Sequence, residues 1–464
     1  MVHAADEPPA RRVYCNDVAA AGAPIIPSFN SAIEQLRGPT AFSLAAVIIC
    51  LVTVSAVWVE SDAYRYSCGV LIIAALVDYW RTPQAARPAI GWGGLACVIW
   101  AAYVGLRYGW VFFSQPGKHG SAEGIYLFPL VFPTIGYALF RLRNRLAGLA
   151  DLFMLISLVA LGVTIDLPDV FNGERTPFLF QNNTIHASVA AGLITICALA
   201  YAENAYRNRT NQRPLEQALR FALALAVIAL CLLGIYGAKS KGVWLALALS
   251  VPIQALTSLV HLPRRQVLVG ASMALLGVAI ILFIASAGII RELAPVTASG
   301  LALFDATLLD GIGAVRTAIA QGSVPFSFNE RLMLWMNALE IITAYPVFGA
   351  GVGWHRIWAT TAYASVPYNL MHNGYVEIAI RYGLSGLAFF AGLYATFAWW
   401  ILRAWQRRLL GTVEAKLWLF SIVFFAFTLL TNSNNRLAIG ESFILITAGF
   451  AFSAYYLMQS KVDK

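Results

Sequence analysis

The residues best suited to chemistry lie late in the chain, around one histidine. His372 stands in the run Met371-His-Asn-Gly-Tyr375, and Arg331 begins the run Arg-Leu-Met-Leu-Trp335, 41 residues earlier. A neutral imidazole, with an ordinary pKa of about 6.5, can accept a proton from a hydroxyl group, and a guanidinium binds phosphate oxygens through a planar fork. A base and a fixed cation in one polar loop indicate chemistry on an anionic substrate.

The elements that must position these residues are apolar helices. Of the 464 residues, 59% are hydrophobic and 12% are charged, and the mean hydropathy is +0.69. A soluble domain has about twice that charged fraction, and about 20 apolar residues in a helix cross a bilayer. The apolar runs are continuous, which excludes the alternating pattern of a membrane β-barrel. We therefore predict an all-α polytopic membrane protein.

About twelve helices are predicted to span the membrane. They lie near residues 41–59, 63–80, 91–109, 124–141, 147–166, 186–205, 216–235, 242–260, 266–290, 382–402, 414–431 and 440–458.

The distribution of arginine and lysine predicts the orientation of these spans. One side of the predicted bundle collects Arg11, Arg12, Arg37, Arg81, Arg87, Arg141, Arg143, Arg145, Arg207, Arg209, Arg213, Arg220, Arg264, Arg265, Arg403, Arg407, Arg408, Lys461 and Lys464. Short loops rich in these residues stay in the cytoplasm, so both termini are predicted to be cytoplasmic. The net charge of +9 then reflects topology and contact with anionic membrane lipids, and gives no support to a nucleic-acid role.

Four segments follow from this topology: a cytoplasmic N-terminal segment (1–40), spans 1–9 (41–290), a periplasmic loop domain (291–381), and spans 10–12 with a cytoplasmic C-terminus (382–464). The loop domain is too long for an ordinary connection, and loops of that length are usually functional or disordered. Apolar residues at helical spacing predict that it is mostly helical, with one helix over Asn329–Ala344 that Asn329 could cap.

Several cations depart from the cytoplasmic pattern and fall on the outer side. Lys239 and Lys241 flank Ser240 in a very short outer loop, and together with Arg331 they are predicted to bind a diphosphate. For Arg175, Arg381 and Arg436 the simpler interpretation is favoured. These three are expected to be solvated or to pair with lipid phosphates.

Other residues of the loop domain could contact a substrate, namely Trp354, His355, Asn373 and Tyr375. Metal chemistry has little support, because the sequence has no Asp-x-Asp pair and no His-x-x-x-His pair. No cofactor is expected. The predicted spans also lack the carboxylates near the middle of the membrane that a proton-coupled transporter uses.

At these residues the chain resembles the O-antigen ligase and O-antigen polymerase superfamily of bacterial inner-membrane glycosyltransferases. The resemblance rests on Arg331…Trp335, on the turn Pro346-x-x-Gly-x-Gly-x-Gly353, and on His372-Asn-x-Tyr375. The run Ala238-Lys-Ser-Lys-Gly-Val-Trp244 is similar to the family's Ser-Arg-Gly turn, with Lys241 where arginine is usual. That lysine keeps the charge but loses the bidentate fork.

The resemblance implies transfer of a glycan from undecaprenyl diphosphate to an acceptor hydroxyl in the periplasm. In the preferred mechanism, which inverts the anomeric centre without a metal, Arg331, Lys239 and Lys241 hold the diphosphate and His372 deprotonates the acceptor. A lipid A–core acceptor, and thus a ligase, is favoured because no large domain follows the last span. An O-antigen polymerase and an O-oligosaccharyltransferase stay open, as does a non-catalytic exporter of lipid-linked glycans.

Overall fold

The computed structural model describes residues 41–114, 121–146, 148–208, 213–259, 288, 290–367 and 370–460. Within these ranges the secondary structure is helical and contains no strand. The predicted all-α polytopic class is confirmed, because many of the helices are apolar enough to cross a membrane.

The helices of the described part are α1 (Ala41–Thr53), α2 (Ala63–Arg81), α3 (Gly91–Ser114), α4 (Phe132–Leu142), α5 (Leu149–Thr164), α6 (Leu167–Asn172), α7 (Thr184–Arg207), α8 (Pro214–Gly237), α9 (Lys241–Leu259), α10 (Ile290–Asp310), α11 (Ile312–Gln321), α12 (Phe326–Ala344), α13 (Trp354–Trp358), α14 (Gly374–Gln406), α15 (Thr412–Leu429) and α16 (Ala438–Gln459). Short 3-10 turns at Ser121–Val131, Gly351–Gly353 and Asn434–Arg436 precede α4, α13 and α16.

Eight helices of the described part are long and apolar enough to span a membrane: Gly91–Ser114, Glu123–Arg145, Thr184–Arg207, Pro214–Gly237, Ile290–Asp310, Gly374–Gln406, Thr412–Leu429 and Ala438–Gln459. Helices α1, α5 and α9 contain shorter apolar stretches, and α2 occupies the predicted span at 63–80. The predicted span at 266–290 lies outside the described residues, apart from its last positions. Helix α10 begins where the loop domain was predicted to begin.

Helix α7 forms the centre of one apolar core. Alanine, isoleucine and valine residues point from all of its faces, and it packs against α8, α9 and α15. A helix that is apolar all round is stable only when it is enclosed. A second core joins α2, α4, α14 and α16. The two cores form a bundle on which the outer elements rest.

The glycine-rich turn after α12 fits into a break in α14. Gly383 has a φ of +58°, which interrupts the helix. The freed amides of Leu384 and Ser385 donate to the carbonyls of Pro346 and Val347, both at 2.9 Å. A side chain at Gly383 would collide with these two carbonyls, and one at Gly349 would collide with the backbone of Arg381 and Tyr382. The Pro-x-x-Gly motif therefore binds the interrupted part of α14 through backbone hydrogen bonds.

Helix α12 packs against α14 and carries the core of the loop domain. Leu334, Ala338 and Ile341 are buried against Trp354 and Met371. The helix begins at Phe326 after Pro325, and not at Asn329. The expected Asn329 cap is wrong, because the fixed φ of Pro325 already starts the helix three residues earlier.

A buried ion-pair network connects the start of α14 to the segments that contain Glu123 and Arg436. Glu377 is fully buried and accepts hydrogen bonds from Arg381 and from Arg436, the latter at 3.1 Å. Arg381, also fully buried, donates to Glu123 Oε1 at 2.7 Å. The expectation that Arg381 and Arg436 are solvated is wrong, because two carboxylates balance the two guanidinium groups inside the protein.

We expect Glu377→Ala to destabilise the folded protein severely. Removal of one partner leaves buried guanidinium charge uncompensated, which typically costs about 3–5 kcal/mol. Thermal unfolding of the purified protein in detergent would measure the change. Asp305→Ala removes an exposed carboxylate from α10 and serves as the control. Equal melting temperatures for the two variants would contradict the role given to Glu377.

Candidate functional site

His372 is held by hydrogen bonds to the residue that precedes it. The carbonyl of Met371 accepts from Trp335 Nε1 at 2.9 Å, and the amide of Met371 donates to Glu377 Oε1 at 2.7 Å. His372 itself has a φ of +50°, a conformation that non-glycine residues rarely adopt. The surrounding bonds maintain this conformation, so the position of the imidazole is set by α12 on one side and α14 on the other.

Asn432 orients the imidazole ring. The Asn432 Oδ1 atom lies 3.0 Å from His372 Nδ1, and Asn432 Nδ2 donates to Asn434 Oδ1 at 2.8 Å. Asn434 in turn donates to the carbonyl of Thr428 at 3.2 Å. This chain of bonds directs the oxygen of Asn432 toward the ring. The ring therefore carries its hydrogen on Nδ1 and its lone pair on Nε2, as a general base requires.

The surroundings of His372 favour the neutral imidazole. Burial lowers its pKa, and the positive charge of Arg331 lowers it further. The hydrogen bond to Asn432 and the charges of Glu377 and Glu330 act in the opposite direction but do not outweigh burial. A His372 with a lowered pKa is neutral at the pH outside a cell and can accept a proton.

Arg331 is a half-buried cation that has no anionic partner among the residues that the structure describes. It lies one helical turn before Trp335 on α12, and therefore on the face that approaches the His372 loop. Among the described residues it makes no hydrogen bond or ion pair within bonding distance. Burial lowers its pKa, and so does the charge of Arg175. A guanidinium in this state is suited to bind an anion.

The side chains of Lys239 and Lys241 contact other residues, Gly173 and Glu292. Lys239 Nζ donates to the carbonyl of Gly173 and lies 3.6 Å from Glu292 Oε1. Lys241 Nζ lies 3.4 Å from Glu292 Oε2. The structure therefore brings the two lysines to α10, whereas it brings Arg331 to His372.

Asn373 and Tyr375 have hydrogen bonds within the fold. Asn373 Oδ1 caps α14 by accepting from the amides of Tyr375 and Val376, at 3.0 and 3.1 Å, and its Nδ2 donates to the carbonyl of Leu430. The Tyr375 hydroxyl donates to the carbonyl of Ala426 at 2.9 Å. Both residues connect the His372 loop to α15.

Trp354 and His355 lie in α13, and Trp354 packs in the same core as Met371. Trp354 is buried, and the guanidinium of Arg381 lies 4.8 Å from its ring centroid. The ring of His355 lies 3.7 Å from that of Trp354, and His355 is exposed. Trp354 thus belongs to the packing around the ion-pair network. No group of three or more His, Cys, Asp or Glu side chains that could hold a metal occurs in the described part of the chain.

An apolar cavity of about 380 Å³ lies next to the His372 loop. It is lined by the segment 125–132, α14, α15 and α16, and its wall includes Phe128, Tyr394 and Phe425. Tyr375 and Asn435 form its edge nearest to the site. The cavity offers an apolar compartment directly beside the polar residues.

Three positioning residues were not recognised in the sequence: Arg107, Glu377 and Asn432. Glu377 and Arg381 stand four residues apart in one helix, a spacing that indicates an ion pair. Arg107 lies within an apolar span, where a cation usually has a role. It donates to the carbonyl of Gly349 at 3.0 Å and so holds the glycine-rich turn. The sequence indicates Asn432 only weakly, because it is one residue of a polar run between two apolar helices.

We expect Asn432→Asp to raise the pKa of His372. A carboxylate beside Nδ1 stabilises the imidazolium, and an opposite charge at this distance typically shifts a pKa by about one unit or more. Modification by diethyl pyrocarbonate requires the neutral ring, so its rate at His372, followed by mass spectrometry, should reach half-maximum at higher pH. Asn182→Asp introduces the same charge in another loop and should leave the profile unchanged. A profile that does not move in Asn432→Asp would refute the contact.

A model of the O-antigen ligase family matches residues 226–391 of the chain. The matched range contains the lysine turn, Arg331, the glycine-rich turn and His372, which are the segments whose motifs resemble that family. No curated protein matches the chain. The match supports membership of the O-antigen ligase superfamily through the similarity of residues 226–391.

Proposed function

We propose that the protein is an O-antigen ligase of the bacterial inner membrane. It transfers polysaccharide from undecaprenyl diphosphate to a hydroxyl group of lipid A–core, on the periplasmic side. The observation that carries the proposal is the nearness of a neutral, oriented His372 to Arg331, a half-buried cation that has no acidic partner in the described part of the chain. One group is suited to remove a proton and the other to hold a phosphate.

The proposed reaction is a direct displacement at the anomeric carbon. His372 Nε2 takes the proton of the acceptor hydroxyl while its oxygen forms the new glycosidic bond. The bond between the anomeric carbon and the diphosphate breaks, and the leaving undecaprenyl diphosphate keeps the electron pair. Because attack and departure occur on opposite faces, the configuration inverts. The protein's own cations stabilise the charge that develops on the departing oxygen.

Arg331 is the proposed principal contact for the diphosphate, and Lys239 and Lys241 are proposed to lie at its rim. The lysines share one carboxylate, Glu292, so a net positive charge stays at this turn. The apolar cavity beside Tyr375 suits part of the isoprenoid chain, since it removes apolar surface from water next to the polar site. In this proposal the base (His372), the phosphate site (Arg331) and the apolar cavity for the lipid lie next to one another at one end of the bundle.

We expect His372→Ala to abolish transfer and leave the protein folded. The test is a reconstituted assay with lipid-linked polysaccharide and lipid A–core, in which the product is resolved on a gel. Loss of a general base typically slows a reaction about 10²–10⁴-fold. His186→Asn, which removes a histidine paired with Glu60 at 3.1 Å, is the control and should keep transfer.

The same assay separates the alternatives. Polymer joined to lipid A–core identifies a ligase, and longer lipid-linked glycan without any change in the core identifies a polymerase. Absence of every covalent product with active wild-type protein would favour an exporter and contradict the proposal. Normal transfer by His372→Ala would remove His372 as the base.

A further inference from the structure

We propose that α10 is a helix of the membrane surface, with one face in contact with lipid hydrocarbon at the end of the bundle that holds the His372 loop. The inference goes beyond the proposed function and does not depend on it. Helix α10 belongs to the predicted loop domain, yet it is 21 residues long and apolar enough to cross a membrane. Its contacts show that it does not follow such a path.

The first turn of α10 lies at the same end of the bundle as the candidate site. Lys241, the first residue of α9, has its Nζ atom 3.4 Å from Glu292 Oε2 in α10. The next residue, Gly242, has no room for a β-carbon, because the side chain of Thr431 lies against it. Thr431 directly precedes the asparagine that orients the His372 ring. The start of α10 is therefore close to the level of the His372 loop.

The second half of α10 stays at this end. Leu303 packs against a cluster that includes Leu332 of α12. Close to Leu332 on the same helix, Trp335 donates to the carbonyl of Met371 in the His372 loop. In a helix that crossed the membrane, Leu303 would lie about 16 Å deeper than Glu292, near the middle of the bilayer. Because Leu303 contacts α12 instead, α10 runs beside the loop domain and not through the bilayer.

The face of α10 that points away from α12 is apolar along the whole helix. Ile290, Leu301, Phe304 and Leu308 are each at least 60% exposed, and Leu309 is 91% exposed. At 100° per residue, these side chains cover an arc of about 140°. Such an arc is wider than the narrow seam through which two helices of a coiled coil meet. Exposed apolar surface of this extent marks contact with a partner or with a membrane.

Lipid hydrocarbon is the partner that fits this face. The first turn of α10 lies beside that of α9, a predicted span whose Leu245 and Leu249 are exposed, so the apolar surface of α10 continues a surface that faces lipid. Asp305 interrupts the arc, and a carboxylate is tolerated at the interface, where headgroups and water are within reach. Through Leu303 the lipid contact then supports α12, the helix that carries Arg331.

Spin labels on single cysteines of the full-length protein test the inference. Leu301→Cys and Leu308→Cys are labelled in vesicles of phosphatidylethanolamine and phosphatidylglycerol. Thr360→Cys, at an exposed position after α13, is the control. Power saturation measures collisions with oxygen, which dissolves in hydrocarbon, and with a polar nickel chelate, which stays in water. The oxygen-to-nickel ratio should be about threefold higher or more on α10 than at Thr360→Cys, because a surface helix buries its apolar face about 5–10 Å deep.

The other outcomes would overturn the inference. A ratio on α10 equal to that of Thr360→Cys would place the face in water. Low accessibility to both reagents would mean that protein covers it, and line broadening lost on dilution with unlabelled protein would identify that protein as a second copy. Cys50, Cys68, Cys97 and Cys231 are buried, and a Cys15→Ser protein without an introduced cysteine measures their residual labelling.

Discussion

The buried carboxylate of Glu377 is the interaction on which the position of the His372 loop depends. It receives the amide of Met371, the hydroxyl of Ser433 at 3.0 Å, and the guanidinium groups of Arg381 and Arg436. These donors come from the His372 loop, from α14 and from the loop before α16. A charge in this position is tolerated only because its partners neutralise it and satisfy its oxygens. The same bonds that stabilise the carboxylate therefore position the histidine.

Charge on the outer face is divided between balanced and unbalanced groups. In the network of Glu123, Glu377, Arg381 and Arg436, two negative charges meet two positive charges inside the protein. Arg331, by contrast, has no acidic partner in the described residues. The first arrangement makes a rigid support, and the second is where we propose that the substrate anion binds. This division explains why arginine residues of similar sequence context have different roles.

The sequence predicted the elements that follow from local pattern. Apolar runs indicated the helices, and the spacing of Arg331, the glycine-rich turn and His372 indicated the loop that holds them. What it could not predict are contacts between distant segments. Asn432 lies 60 residues from His372, and Glu123 lies 258 residues from Arg381. Because such pairs are set by packing of the bundle and not by spacing, Arg381 and Arg436 were expected in solvent although they are buried. The break of α14 at Gly383 is likewise visible only when the turn that fills it is present.

We propose that the substrate anion binds between the His372 loop and α12. A cryo-electron microscopy structure of the full-length protein with an isoprenoid diphosphate bound tests it most directly. The account predicts phosphate oxygens within hydrogen-bonding distance of the Arg331 guanidinium, about 2.7–2.9 Å, with the imidazole of His372 still oriented by Asn432. A diphosphate bound among the arginine residues of the predicted cytoplasmic loops, with the side chain of Arg331 unaltered, would contradict it.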